Sequence, residues 1–503
     1  MTGPPGAGKT TETQELATLW AKEGRRTIIF RPTHRQIEED LKRLRQLGVR
    51  PAVWMGFEHK CPRYQGGDEL IVRLYKEARL PPEVLCRICD RASGCPYKAQ
   101  FKTSARVILA PVDYLWTGYP ELVRPDAIVI DEPGRWLWLP EDPDKLKEKG
   151  KTLDELIPEM EGWRSFVEKH IAVWCRGPAA VRRALARSTA VSLKELLDAG
   201  ASLNELVEEG KRWIPYDIVK LTEYEHLRRI YGRDQFYILP FQYPALDYVR
   251  AGYLVIYVDA YHDEELTGYL LERYKKERGQ PPELNVIPVK APAPPPGRII
   301  RVQPFNRPGW YPKESLKNER TRERLAQRMI GLARRHKAKK VGVITYKEFL
   351  GYFVNALKRA LPGVDVVGLH FFNLRSSNAL RDVGVLFVVG TAVVNLGELE
   401  GLIVPALLPH KNLSPKAVKL PGGGWRYVNP YVEAVRRYLE DYEQANAIHR
   451  ARPMVRPVTV YVFGRIPDCV LREEGLPVGE LIAETIGQRG GLYIRWVKKP
   501  GVS

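Results

Sequence analysis

One stretch at the start constrains this chain more than any other: Gly3-Pro4-Pro5-Gly6-Ala7-Gly8-Lys9-Thr10 satisfies the pattern G-x-x-x-x-G-K-[ST] at every fixed position. In such a loop Gly3, Gly6 and Gly8 let consecutive backbone N–H groups curl round a β-phosphate. Lys9 then reaches the β- and γ-phosphates, and the Thr10 hydroxyl is placed to ligate Mg²⁺. The run Thr11–Ala21 reads as an amphipathic helix whose N-terminal dipole faces the phosphates. The loop needs a buried strand before it, and only Met1 and Thr2 precede Gly3. The expectation is therefore an earlier start or a truncated chain.

The stretches that follow fit an α/β sheet. Arg26–His34 is an apolar, β-branched run that meets a proline and leads into a charged helical stretch, Gln36–Leu47. Arg106–Leu115 reads as a further short strand. Ala127-Ile128-Val129-Ile130-Asp131-Glu132 then delivers two carboxylates at the C-terminal end of a strand, where the phosphate loop of a doubly wound sheet also opens. That arrangement suits ATP hydrolysis, with Asp131 holding Mg²⁺ opposite Thr10 and Glu132 polarising the attacking water. The sheet resumes at Tyr253–Tyr261, which carries Asp259 and Ala260.

Composition narrows the partner. Among 503 residues, 79 are Lys or Arg and 60 are Asp or Glu, a formal net charge of +19 that points to a polyanion, with nucleic acid as the first expectation. No run of about 18 uncharged apolar residues could span a bilayer, and no signal peptide is present, so an intracellular, cytoplasmic protein with no membrane partner is expected. Six cysteines are too few for a secreted disulfide framework, and four of them, Cys61, Cys86, Cys89 and Cys95, fall in one short Pro-, Gly- and Arg-rich stretch. Four thiolates can hold one tetrahedral zinc or one [4Fe–4S] cluster, and the spacing alone does not choose between them.

From Trp136 to Arg250 the sequence turns to charged helical segments with interleaved aromatic and basic residues, which reads as a mostly helical insertion. The proline-rich stretch Val289–Gly297 would be stiff and extended, and the inter-domain connection belongs near it. Beyond it the α/β pattern restarts with a helix at Glu319–His336 and a strand at Lys340–Tyr346, without a second phosphate loop.

In this order the motifs resemble the XPD/DinG-like iron–sulfur DNA helicases of superfamily 2, of an archaeal or archaeal-virus type. The resemblance rests on the phosphate loop, Pro32-Thr33-His34, the string Cys86-Arg87-Ile88-Cys89 with Cys95-Pro96-Tyr97, Asp131-Glu132, Asp259-Ala260, and Asn446-Ala447-Ile448-His449-Arg450-Ala451-Arg452. It implies two RecA-like P-loop NTPase domains, 1–290 and 298–503. The first would carry a [4Fe–4S] insertion at 55–105 and an arch-like helical insertion at 136–250. It also implies a monomer that moves 5′ to 3′ on single-stranded DNA and opens forked duplexes. Thr33, His34, Asp259, Arg375 and Asn378 would contact DNA or couple hydrolysis to movement, and Arg450 and Arg452 would supply a cation to the γ-phosphate from the opposite domain. The chain departs from the family at Pro133-Gly134, Tyr261, Asn446 and His449. These departures keep open a degenerate motor that acts as an ATP-regulated clamp on nucleic acid.

Overall fold

The computed structural model describes residues 1–2, 7–90, 94–116, 123–131, 178–211, 227–229, 236–238, 244–289, 295–303, 311, 313–374, 379–394, 416–419, 425–473, 476–484 and 492–496. The chain divides into two units, one made mainly of Gln14–Ile256 and the other of Met1–Thr13 with most of the chain from Tyr257 onward. Each is built on its own sheet.

In the Gln14–Ile256 unit, strands β1 (Thr27–Arg31), β3 (Val107–Pro111) and β4 (Ala127–Asp131) are buried at every residue. Unbroken burial of β-branched runs, without in–out alternation, belongs to a parallel sheet covered on both faces. The order is β2-β3-β1-β4-β7, with β2 at Ala52–Val53 and β7 at Leu254–Val258. The pairs β2/β3, β3/β1 and β1/β4 are all parallel. Helix α1 (Lys9–Lys22) leads into β1, and α2 (His34–Gln46) makes the crossover after it. The strand expected at Arg106–Leu115 ends at Pro111 and continues as a 3₁₀ turn, Val112–Trp116. Of the 136–250 stretch, residues 136–177 lie outside the described residues. The described part holds helices Pro178–Asp198, Leu203–Lys211 and Pro244–Arg250 and also an antiparallel pair, β5 (Leu227–Arg229) with β6 (Phe236–Ile238).

The second sheet runs β10-β9-β11-β14-β8-β15-β16. Its strands are β8 (Arg298–Val302), β9 (Lys340–Thr345), β10 (Asp365–His370), β11 (Val385–Val388), β14 (Thr459–Val462), β15 (Val478–Glu484) and β16 (Leu492–Trp496). A separate antiparallel pair joins β12 (Ala417–Lys419) to β13 (Trp425–Tyr427). All pairings in the large sheet are parallel except β15/β16, which carries an irregularity between Leu481 and Ala483. Two amphipathic helices contribute to its core. Glu319–Arg335 buries Leu325, Met329 and Leu332, and Lys347–Ala360 buries Phe349, Phe353 and Leu357, spacings that line one helical face. Where β11 and β14 end, backbones nearly touch: a Cβ added to Gly464 would lie 1.8 Å from the Gly390 carbonyl oxygen, and Gly390 itself has φ +99°. Only residues without side chains fit that crossing. No described helix is long and apolar enough to cross a membrane.

Candidate nucleotide site and cysteine pocket

Gly3 and Gly6 lie outside the described residues, so the loop is seen from Ala7 onward. Gly8 has φ +95° with open space where a Cβ would sit, so its glycine is required by backbone conformation and not by crowding. Lys9 opens α1 with 7% of its surface exposed. The Thr13 hydroxyl donates to the Thr10 carbonyl at 2.9 Å, which ties down the first turn. An ammonium set at a helix N-terminus suits an anion. Just upstream, the Met1 amine donates to the Tyr257 carbonyl at 2.7 Å, and Thr2 bridges in parallel to Asp259 and to Pro288.

In the other unit, β4 ends in Asp131, 1% exposed. The parallel register pairs Phe30 with Ile130, which sets Arg31 beside Asp131. Arg31 Nη1 approaches Asp131 Oδ2 at 2.5 Å, while Nε and Nη2 donate to the two carboxylate oxygens of Asp40 on α2 at 2.5 and 2.9 Å. Gln14 on α1 donates to Asp40 at 2.7 Å. Burial pushes the Asp40 carboxyl above its usual range, against the pull of Arg31. Sequence reasoning missed Arg31 and Asp40. The available signal was a cation inside an otherwise apolar strand. Glu132 lies outside the described residues. The Asp131 carboxylate is a hard oxygen donor, the type Mg²⁺ takes, so this residue fits that ion.

Thr33 caps α2, its side chain accepting from the Gln36 N–H at 3.4 Å. His34 begins the helix, its ring 5.2 Å from that of His59 in an edge-on contact.

Prolines organise the cysteine region. Cys61 and Cys95 precede helices that open on Pro62 and Pro96, and Cys89 closes the helix Pro82–Ile88. All four cysteines line one pocket with Arg63 and Lys98, against the apolar side chains of Phe57, Ile71 and Leu85. None of the four is in a disulfide. Burial and the neighbouring thiols push the Cys86 thiol up to about 12, with Lys98 opposing. Arg63 donates to Cys89 Sγ at 3.9 Å and pairs with Asp68 and Asp90. Among the described residues, no three Cys, His, Asp or Glu side chains gather in a way that could hold a metal ion. The sulfurs thus share a pocket without closing on a point. An aromatic chain runs from this pocket: Phe57 meets Tyr97, Tyr97 meets Phe101, and Phe101 meets both Trp54 and Tyr114, at 5.2–5.7 Å between ring centres.

In the unit that begins again at Tyr257, Asp259 accepts from the Tyr257 hydroxyl at 3.1 Å and from the Ala260 N–H at 2.6 Å. Tyr261 stacks on Tyr442 with ring centres 5.2 Å apart and donates to Glu473 at 3.1 Å. The other Glu473 oxygen lies 3.0 Å from His449 Nε2, on an imidazole with 0% side-chain exposure. Two positions where the chain departs from the resembling family thus meet on one carboxylate. Burial raises the Tyr261 phenol well above its usual range. Arg450 ends the helix Tyr442–His449, and Arg452 follows with φ +57° and its N–H on the His449 carbonyl at 2.8 Å.

Before that helix lie Pro430–Arg436 and a π-helical turn, Arg437–Asp441. Side chains of the π-helical turn and of the helix after it hold loops: Glu440 accepts from Val394 N–H at 3.0 Å, Gln444 from Ala392 N–H at 2.9 Å and Glu443 from Phe372 N–H at 2.6 Å. The buried Arg436 pairs with Glu433, Glu440 and Asp441. These contacts also escaped sequence reasoning. Arg375 and Asn378 lie outside the described residues.

Fold and site together define a chain of parallel α/β sheets, with a lysine at a helix N-terminus in one place and a set of gathered thiols in another. No family model matches the chain, and no curated protein matches it. Among solved structures it is similar to an XPD helicase at 12% identity, over 95% of this chain and 95% of that chain, with TM-score 0.46. It is similar to S. tokodaii Xpd4 at 13% identity, over 94% and 92% of the two chains, with TM-score 0.45. It is also similar to Mycobacterium smegmatis helicase Lhr bound to ssDNA and AMP-PNP, at 10% identity over 94% of this chain and 44% of that one, with TM-score 0.34. Likeness this distant leaves the chain's own residues to carry the functional reading.

Proposed function

We propose that the chain is an ATP-dependent DNA motor of the XPD/DinG-like kind, which couples hydrolysis to 5′-to-3′ movement along single-stranded DNA and opens forked duplexes. The observation that carries the nucleotide half is the start of α1, where Gly8 at φ +95° hands over to a buried Lys9. Lys9 would neutralise the β- and γ-phosphates, and Thr10 and Asp131 would hold Mg²⁺ through oxygen. Mg·ATP supplies the transferable phosphoryl group. Glu132 would direct water, and Arg450 or Arg452 would offset charge at the γ-phosphate, a contribution of about 10³–10⁵ in rate in enzymes of this type. In this reading 1–290 and 298–503 are the two RecA-like domains, 136–250 is the arch, and Thr33, His34, Asp259, Arg375 and Asn378 face DNA or couple to it. A monomer working in the cytoplasm on DNA completes it.

The same reading takes 55–105 as a [4Fe–4S] domain held by Cys61, Cys86, Cys89 and Cys95. Their common pocket supports it, and Arg63 and Lys98 would offset the negative charge of four thiolates. Zinc on the same sulfurs is the alternative. Absorption near about 400 nm with roughly four irons per chain, in anaerobically purified protein, is the expected result. Equimolar zinc without colour would replace the cluster.

A clamp without unwinding activity is the second reading, favoured by the contacts of Tyr261 and His449 with Glu473. ATPase activity stimulated by single-stranded DNA separates the two, because a motor requires it. If Lys9→Ala leaves duplex unwinding unchanged, the motor reading is wrong.

A further inference from the structure

Strand β1 carries no charge until its last residue, and there it buries a guanidinium between two carboxylates. The side chains of Arg31, Asp131 and Asp40 are 3%, 1% and 5% exposed, so this is not a solvated surface pair. Arg31 uses three nitrogens: one reaches Asp131 at 2.5 Å, and two make a fork on Asp40 at 2.5 and 2.9 Å. The fork fixes the guanidinium plane, as a bidentate arginine–carboxylate pair does. Gln14 at 2.7 Å from Asp40 fastens the far side of the fork to α1. Asp40 thus anchors Arg31, and Arg31 presents its remaining nitrogen to Asp131.

We propose that Arg31 is a built-in cation at the metal-binding carboxylate, which orients Asp131 and competes with the divalent ion for its charge, so that Arg31 sets how much magnesium the site requires. The proposal rests on the reading of Asp131 as a magnesium ligand. A fixed positive charge within a few ångströms of a divalent ion weakens its binding, and the effect is larger in a dry interior than in water. Arg31 is a positioning residue here: it acts on the ion through Asp131.

The test is a metal titration and not turnover alone. Mn²⁺ binding to the full chain is followed by electron paramagnetic resonance in the presence of ADP, with a fluorescent ADP analogue in EDTA as the metal-free reference. Arg31→Met alone would strand Asp40, so the variant is R31M/D40N, which removes the cation and its anchor together. Thermal melting confirms folding. The expected result is Mn²⁺ binding tightened by at least about tenfold. The second variant, R31K, keeps the charge and loses the fork, and its Mn²⁺ affinity should stay within about threefold of the unchanged chain. Unchanged or weakened Mn²⁺ binding in folded R31M/D40N overturns the proposal and leaves the nucleotide reading standing. So does R31K tightening as much as the double variant, because charge would then not be the cause. Should the double variant fail to fold, R31Q, which removes the charge and keeps an amide to hydrogen-bond Asp40, takes its place under the same two criteria. An unchanged chain that binds neither ADP nor Mn²⁺ with ADP would overturn the nucleotide reading as well, a distinct failure.

Discussion

His336, which ends the helix Glu319–Arg335, has Nε2 at 2.7 Å from the Tyr461 hydroxyl. Burial, with Arg298 adding like charge, holds its pKa below the ordinary 6.5. The folded chain therefore binds this proton less readily than the unfolded one. The sign follows: stability from neutral His336 is present above the unfolded pKa and is lost as pH falls through the lower folded value. Denaturant titrations between about pH 7 and about pH 5 should show a smaller loss in H336Q than in the unchanged chain. An identical loss would clear His336 of any part in it. At this scale a phosphate-loop pattern stands out in the sequence because its parts are contiguous, Lys9 and Thr10 among them. Arg31 with Asp40 and Asp131 could not, because nothing local to a strand says which distant acid its last residue will face.

At the scale of elements, β1, β3 and β4 were readable as β-branched runs because their burial on both faces leaves no polar interruption. The small pair β5/β6 in a stretch rich in charged helical sequence was not, since strands of three residues carry too little pattern to register. Cysteine spacing pointed to one shared site in the sequence, and in the fold Pro62 and Pro96 start new helices at two of the four cysteines that line one pocket. The close approach of Gly390 and Gly464, just past the ends of β11 and β14, makes a sharper demand. In G464A the new methyl would meet the Gly390 carbonyl, a backbone atom with no rotamer to retreat into. The expected loss is about 3 kcal/mol, at the upper end for overpacking, read as a lowered urea midpoint. An unshifted midpoint would mean that the two strand ends separate at little cost.

For the whole molecule, the net charge of +19 becomes a statement about salt. Each phosphate neutralised on a single strand contributes a slope of about −0.7 to log affinity against log salt, so a footprint on the order of six phosphates loses about 10²–10³ in affinity between about 50 and about 200 mM. Fluorescence anisotropy with labelled single-stranded DNA checks it. A flat response would mean that the basic surplus does not face the nucleic acid. The two units each put the charged candidate residues at strand ends or helix ends, which is where sequence order alone gives the least guidance about neighbours.

The ring contacts beside the cysteine pocket also limit how independent that stretch can be. Trp54 follows β2, its backbone N–H on the Leu109 carbonyl of β3 and its indole N–H on the Gln100 carbonyl, while Gln100 and Tyr114 both grip Met55. Pocket and sheet margin are therefore tied to each other by hydrogen bonds and ring contacts. A change in the thiol set, such as oxidation, does not simply loosen a decoration on the surface. It shifts the footing on which the β2 edge of the first sheet stands.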